Sequence, residues 1–190
     1  MIVTIHQPNF MPWYPFFQKM DQADIFVVLE NCQFEKNNFQ NRFKLDNRWY
    51  TMSTSKRLLP IIDKKYSEHS RDWEKIKRRL PEYRKILEQF DSCISESLSE
   101  TNFNIILKIK DLLNISTEVV KDRKTDLTST DRLVDICKFY AAEEYISGAS
   151  GKVYLDLDKF ATNNIKVSFQ SPSVEKVNIL GFLQRLENAR

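Results

Sequence analysis

Ile2, Val3, Thr4 and Ile5 form a β-branched run, and residues 25–29 (Ile-Phe-Val-Val-Leu) are apolar without interruption. Such runs mark strands covered on both faces by other layers, as in a parallel sheet. Between them, Pro8, Pro12 and Pro15 interrupt regular structure up to about Trp13. Phe16, Phe17, Met20 and Ala23 then recur at helical spacing, which predicts a helix over 15–22 with Pro15 in its first turn. Residues 31–45 are rich in amides and read as a loop, and residues 48–53 (Arg-Trp-Tyr-Thr-Met-Ser) read as the next strand. Trp73, Ile76, Leu80, Tyr83, Ile86, Leu87 and Phe90 follow a three-or-four period, so 67–90 is helical, with Pro81 expected to kink or split it. A further helix is expected over 102–113 and a short strand over 118–120. The pattern then returns to alternating elements. A helix is expected over 131–140, capped from Thr128, Ser129 or Thr130, followed by a strand at 145–147. A helix carrying Tyr154, Leu157 and Phe160 and a strand at 165–169 complete the series. The pattern predicts one α/β domain over residues 1–190, a mostly parallel open sheet with a helical insertion near 64–115.

A length of 190 residues is enough to bury a sizeable core. With 42% hydrophobic and 29% charged residues, the chain is too apolar for disorder and too charged for a membrane bundle. No run approaches the roughly 18 apolar residues of a spanning helix. The opening residues show no export signal, and three scattered cysteines suit a reducing compartment, so the expectation is a cytoplasmic protein. Net charge is only +3, which is no nucleic-acid signature. Its distribution is uneven: residues 35–90 carry fifteen bases and eight acids, while both flanks are slightly acidic. A phosphate-bearing ligand or a solvated helix face would each account for the basic stretch.

Two loop clusters carry candidate chemistry. In open parallel sheets, ligands bind outside the carboxyl ends of the strands. His6 and Gln7 stand at that end of the first strand, in a proline-stiffened loop with Asn9 and Trp13. His6 is the candidate general base or polariser, since an ordinary imidazole titrates near neutrality. The second cluster pairs Ser129, Thr130 and Arg132 at a helix start with Ser147, Gly148, Gly151 and Tyr154. Helix starts present free N–H groups to anions, and glycine suits a close backbone approach. Between the clusters, Asn38, Gln40, Asn41, Arg42 and Lys44 offer donors and acceptors, with Arg42 able to hold phosphate or carboxylate bidentately. No phosphate-loop, dinucleotide, nucleophile-elbow or zinc-protease motif occurs, and two histidines with no CxxC spacing indicate no metal site. Cys32 is expected to be a structural thiol. Nothing in these motifs names a cofactor or an oligomeric state.

The stretch His6-Gln7-Pro8-Asn9-Phe10-x-Pro12-Trp13, followed by Phe17-x-Lys19 and Ala23-Asp24, resembles the WbqC-like protein family. The resemblance continues at Gln33-Phe34-x-Lys36 and Gln40-Asn41-Arg42. It resumes at Ser129-Thr130-x-Arg132-Leu133, Tyr145-Ile146-Ser147-Gly148 and Gly151-x-x-Tyr154-Leu155, covering 1–45 and 125–160. It implies a role in surface-polysaccharide synthesis, O-antigen or capsule. The expectation is a transferase that moves a small group on a nucleotide-linked sugar, with Gln7, Asn38 and Asn41 orienting it and Arg42 and Arg132 holding its charge. Two alternatives stay open: a non-catalytic binding or scaffold protein of glycan assembly, and a nucleotidyltransferase. For the latter, Pro12-Trp13 stands where a second histidine of an adenylyltransferase signature would be.

Overall fold

A computed structural model describes residues 1–171 and 178–188. Its strands are β1 (Ile2–His6), β2 (Ile25–Val28), β3 (Arg42–Leu45), β4 (Arg48–Thr51), β5 (Glu118–Lys121), β6 (Glu144–Ser147) and β7 (Lys166–Phe169). Its α-helices are α1 (Tyr14–Met20), α2 (His69–Arg79), α3 (Arg84–Glu88), α4 (Leu98–Leu112), α5 (Ser129–Phe139), α6 (Leu157–Thr162) and α7 (Ile179–Asn188). Five strands make one parallel sheet in the order β5-β2-β1-β6-β7. The apolar runs explain why β1 and β2 lie inside it. Along β2, Phe26 and Val28 join the core on one face, while Ile25 and Val27 join the core on the other. Helix α1 seals the first face with Phe16, Phe17 and Met20; α5 and α6 seal the second with Val134, Ile136, Cys137 and Phe160.

The chain leaves β1 toward β2 on one side and, much later, returns to pair β6 on the other. This reversal is the topological switch point at which open sheets form a crevice. Strands β3 and β4 differ from the expectation. Residues 42–45 are a strand, not loop, and they pair with β4 in a separate antiparallel hairpin. Asp46 and Asn47 supply its two-residue turn, both with positive φ (47° and 61°), the geometry of a turn that matches strand twist. Pro81 splits the long helical stretch into α2 and α3, as its missing N–H requires. Helix α4 starts earlier than its periodicity indicates because Ser97 caps it, accepting from Glu100 N (3.3 Å). Tyr154 lies outside α6, just after a short 3₁₀ turn (Ala149–Val153). Helix α7 has its own apolar stripe, Ile179, Leu180 and Leu183, packed on the first face. No helix among the described residues is long and apolar enough to cross a membrane.

Candidate functional site

His6 ends β1, and Ser147 ends β6 beside it, so both stand at the switch point. His6 packs edge-on against Phe16, with ring centroids 4.9 Å apart. Its Nδ1 lies 2.9 Å from the Gln7 carbonyl. A carbonyl only accepts, so Nδ1 carries the proton and Nε2 keeps its lone pair. Burial, helped by the Lys19 charge, pushes the His6 pKa down to about 3. The near-neutral value expected for a general base is therefore corrected: His6 is a neutral hydrogen-bonding group at pH 7. Gln7 is held from both sides. Its Oε1 accepts from Gln40 Nε2 (2.7 Å) and its Nε2 donates to Cys32 Sγ (3.3 Å). Cys32 in turn donates to Leu29 O (3.3 Å), and burial raises its pKa to about 11, so the thiol stays protonated. Fully buried Asn102, from α4, donates to both Pro8 O (2.8 Å) and Gln40 O (2.7 Å). It thereby clasps the His6 loop to the Gln40 loop.

A cleft of about 760 Å³ opens along this edge, walled by His6, Gln7, Asn31, Asn38, Arg132 and Tyr154, with Thr128 and Ser129 at its rim. The rim is the amino end of α5, where Thr128 makes no side-chain cap and Ser129 adopts φ 50°. That uncapped start leaves backbone N–H groups available to an anion. Arg132 is 7% exposed and pairs with Asp122. Its Nη1 donates to Asn31 O (3.2 Å), and its buried Nε has no partner. Asp122 is anchored independently, accepting from Glu30 N (2.8 Å), Asn31 N (3.2 Å) and Asn31 Nδ2 (3.1 Å). The guanidinium is thus fixed by backbone as well as by charge.

Beyond His6 and Ser150, which border both cavities, lies a smaller recess of about 290 Å³. Trp13, Pro15, Phe16, Lys19, Gly148 and Gln170 line it.

The sequence matches the WbqC-like protein family over residues 7–177. This chain belongs to the WbqC-like family. A relative in Mycobacterium tuberculosis (strain ATCC 25618 / H37Rv), named uncharacterized protein Rv1507c, is 27% identical over 188 residues, covering 88% of this chain and 80% of that protein. No solved structure matches.

In this WbqC-like chain the candidate residues divide by place. His6, Gln7, Asn38, Ser129, Arg132 and Tyr154 meet at the cleft, while Trp13 and Gly148 face the recess. Asn9 and Lys44, with Trp13 again, line a third cavity of about 650 Å³ beside the hairpin. The rest are turned to internal bonding. Gln40 accepts from Glu35 N (2.9 Å), and Asn41 donates to Met52 O (2.7 Å). Arg42 stacks on Trp49, 4.0 Å from its ring centre, and donates to Asn37 O. Thr130 Oγ1 accepts from Asp156 N (3.1 Å). Ser147 is buried, its Oγ donating to Gly148 O (3.2 Å). The two glycines differ. A Cβ on Gly151 would stand 2.0 Å from Ser147 Oγ, whereas one on Gly148 would meet nothing within 4 Å. Gly151→Ala therefore overpacks the end of β6 and should lower stability by about 1–3 kcal/mol. Adding Ser147→Ala removes the nearest contact, and the urea midpoint should recover in part.

Sequence reasoning missed Lys19, Asp122 and Asn102 as parts of this region. Lys19 gave a readable signal: it stands three residues after Phe16 and four before Ala23, on the apolar stripe of α1. Asp122 and Asn102 reach the site only through tertiary structure.

Proposed function

We propose that this WbqC-like protein is a transferase of surface-polysaccharide synthesis that moves a small group on a nucleotide-linked sugar bound in the cleft. The observation that carries this reading is the convergence of a fixed cation, Arg132, and an uncapped helix start, α5, on the cleft that holds His6. Phosphate oxygens suit the α5 N–H groups, whose partial positive charge favours anions. Sugar hydroxyls suit His6 Nε2, an acceptor with no proton of its own, and the Asn38 amide. The exposed Tyr154 ring offers a face to a base. In this reading His6 orients a hydroxyl by accepting its hydrogen bond, and Arg132 compensates charge that develops near the phosphates.

The test is a thermal-shift panel of nucleotide-sugars, nucleoside diphosphates and nucleoside triphosphates on the parent and Ser129→Asp. A ligand at about 100 times its Kd adds roughly 2.7 kcal/mol. Asp tolerates the left-handed backbone at this position and complements the helix dipole, so the variant alone should be as stable as the parent or up to ~1 kcal/mol more stable. Its carboxylate nonetheless repels phosphate, so the nucleotide-sugar shift should vanish. A panel with no nucleotide-sugar shift, or an undiminished shift in Ser129→Asp, overturns the proposal. A shift with triphosphates alone redirects it to nucleotidyl transfer.

A further inference from the structure

The smaller recess contains a charge that no described carboxylate balances. Lys19 is 2% exposed, and its Nζ has one hydrogen-bond acceptor, Ile5 O at 3.1 Å. No described carboxylate lies within ion-pair distance of it, a situation it shares, among the buried cationic side chains, with Lys64. Lys77 pairs with Glu74 and Asp91, Arg132 pairs with Asp122, and Lys64 donates to two carbonyls. Buried ammonium groups need a compensating anion or lose their proton. Here burial lowers the Lys19 pKa to about 7. The amine is then poised to take up a proton when an anion arrives.

The remaining walls define what kind of anion fits. Trp13, 47% exposed, with Pro15 and Phe16, gives the recess an apolar side. Its polar groups are few: Ser150, Ser171, Gln170, whose Nε2 donates to Pro15 O (2.7 Å), and His6. His6 and Lys19 are the only titratable side chains among the described residues lining it. One cation with two serine hydroxyls offers less positive charge than a phosphate dianion needs. These groups match a single negative charge on a small apolar body. Gly148, at φ −64°, is there without conformational need, and an added Cβ would meet nothing within 4 Å.

We propose that this recess is a binding site for a small monocarboxylate, whose carboxylate pairs with Lys19 Nζ and whose apolar body lies against Trp13 and Phe16. The site adjoins the nucleotide-sugar cleft at His6 and Ser150 but does not depend on the reading given to that cleft.

Isothermal titration of the full chain with propionate and benzoate tests it, with inorganic phosphate and propionamide as comparison ligands. Runs in two buffers of different ionisation heat report proton uptake. Carboxylates should bind at one saturable site and take up about half a proton at pH 7, rising toward one at pH 8.5 and falling toward none at pH 5.5. Propionamide and phosphate should not bind there. Lys19→Met should weaken carboxylate binding at least about tenfold, on the arithmetic of one lost ion pair in a buried site. Phe16→Ala removes part of the apolar wall, so it should weaken benzoate more than propionate while leaving the carboxylate–Lys19 pairing in place. Ser129→Asp should bind carboxylate as the parent does, which separates this result from that of the nucleotide panel. Absence of saturable binding at millimolar carboxylate overturns the proposal. So does binding without proton uptake, equal binding by Lys19→Met, or preference for phosphate.

Discussion

Lys19→Met should melt about 6–12 °C above the parent at pH 7. A fall of the amine pKa from its ordinary 10.5 to about 7 corresponds to nearly 5 kcal/mol of disfavoured burial, at 1.36 kcal/mol per pH unit. Methionine fills similar space with no charge to desolvate. Its main loss is the hydrogen bond to Ile5 O, worth about 1 kcal/mol, beside a long contact of Nζ with the Phe26 ring (5.9 Å). At pH 7 half of the folded amine is already neutral, so about 4 kcal/mol of that cost operates there, and the net gain of about 3 kcal/mol sets the expected shift for a chain of this size. The pH dependence fixes the cause. Because the folded pKa lies below the unfolded one, the unfolded chain holds more protons between pH 7 and 10.5, and parent stability rises with pH across that window. The advantage of methionine should thus be greatest at pH 7 and below and shrink steadily toward pH 10. Calorimetry of both proteins at pH 6, 7, 8 and 9 measures it. A destabilised variant, or a difference that ignores pH, would show that the amine is already compensated in the fold. A stabilising loss of this kind is what a residue kept for ligand chemistry rather than for packing produces.

How much of this was legible depended on the range of the interactions involved. Strands β1 and β2 could be read because burial on both faces writes itself as an unbroken apolar run. The placement of His6 and Gln7 at the sheet's carboxyl edge followed directly. Strand β3 was obscured because Asn41, Arg42 and Lys44 look like ligand-reading polar residues, when their alternation with Phe43 and Leu45 is that of a half-buried strand. The Asp46 and Asn47 turn was the available signal for the hairpin. Arg42 illustrates the limit for side chains: its choice of Trp49 as a stacking partner depends on β3–β4 register, which no local pattern gives. Arg132 was found because it follows a helix start. Its anchor, Asp122, sits ten residues earlier at the end of β5, and only the sheet order brings that end to the cleft. Of the WbqC-like motifs, the His6–Trp13 loop and the Ser129 and Gly148 stretches fall at this edge, whereas Phe17-x-Lys19 lies within α1 and Ala23-Asp24 precedes β2 at the opposite end.

Asp122→Ala should cost about 3–5 kcal/mol, the largest loss expected from a single change at the cleft. The Asp122 side chain is fully buried. Its removal leaves the Arg132 charge uncompensated in a desolvated place and strips the buried Glu30 N and the part-buried Asn31 N of their acceptor. Urea unfolding should show a lower midpoint at unchanged slope, the sign of lost native stability rather than an altered unfolded state. Removing both charges behaves differently, because an apolar pair avoids both desolvation costs. Asp122→Leu with Arg132→Met should recover much of the stability lost by Asp122→Ala, while its cleft lacks the cation assigned to the phosphates. That double variant should therefore fold and yet give no thermal shift with nucleotide-sugars. A single variant within 1 kcal/mol of the parent would mean that Arg132 finds another partner. A double variant that still responds to nucleotide-sugars would remove Arg132 from phosphate binding and leave the helix start as the anion site.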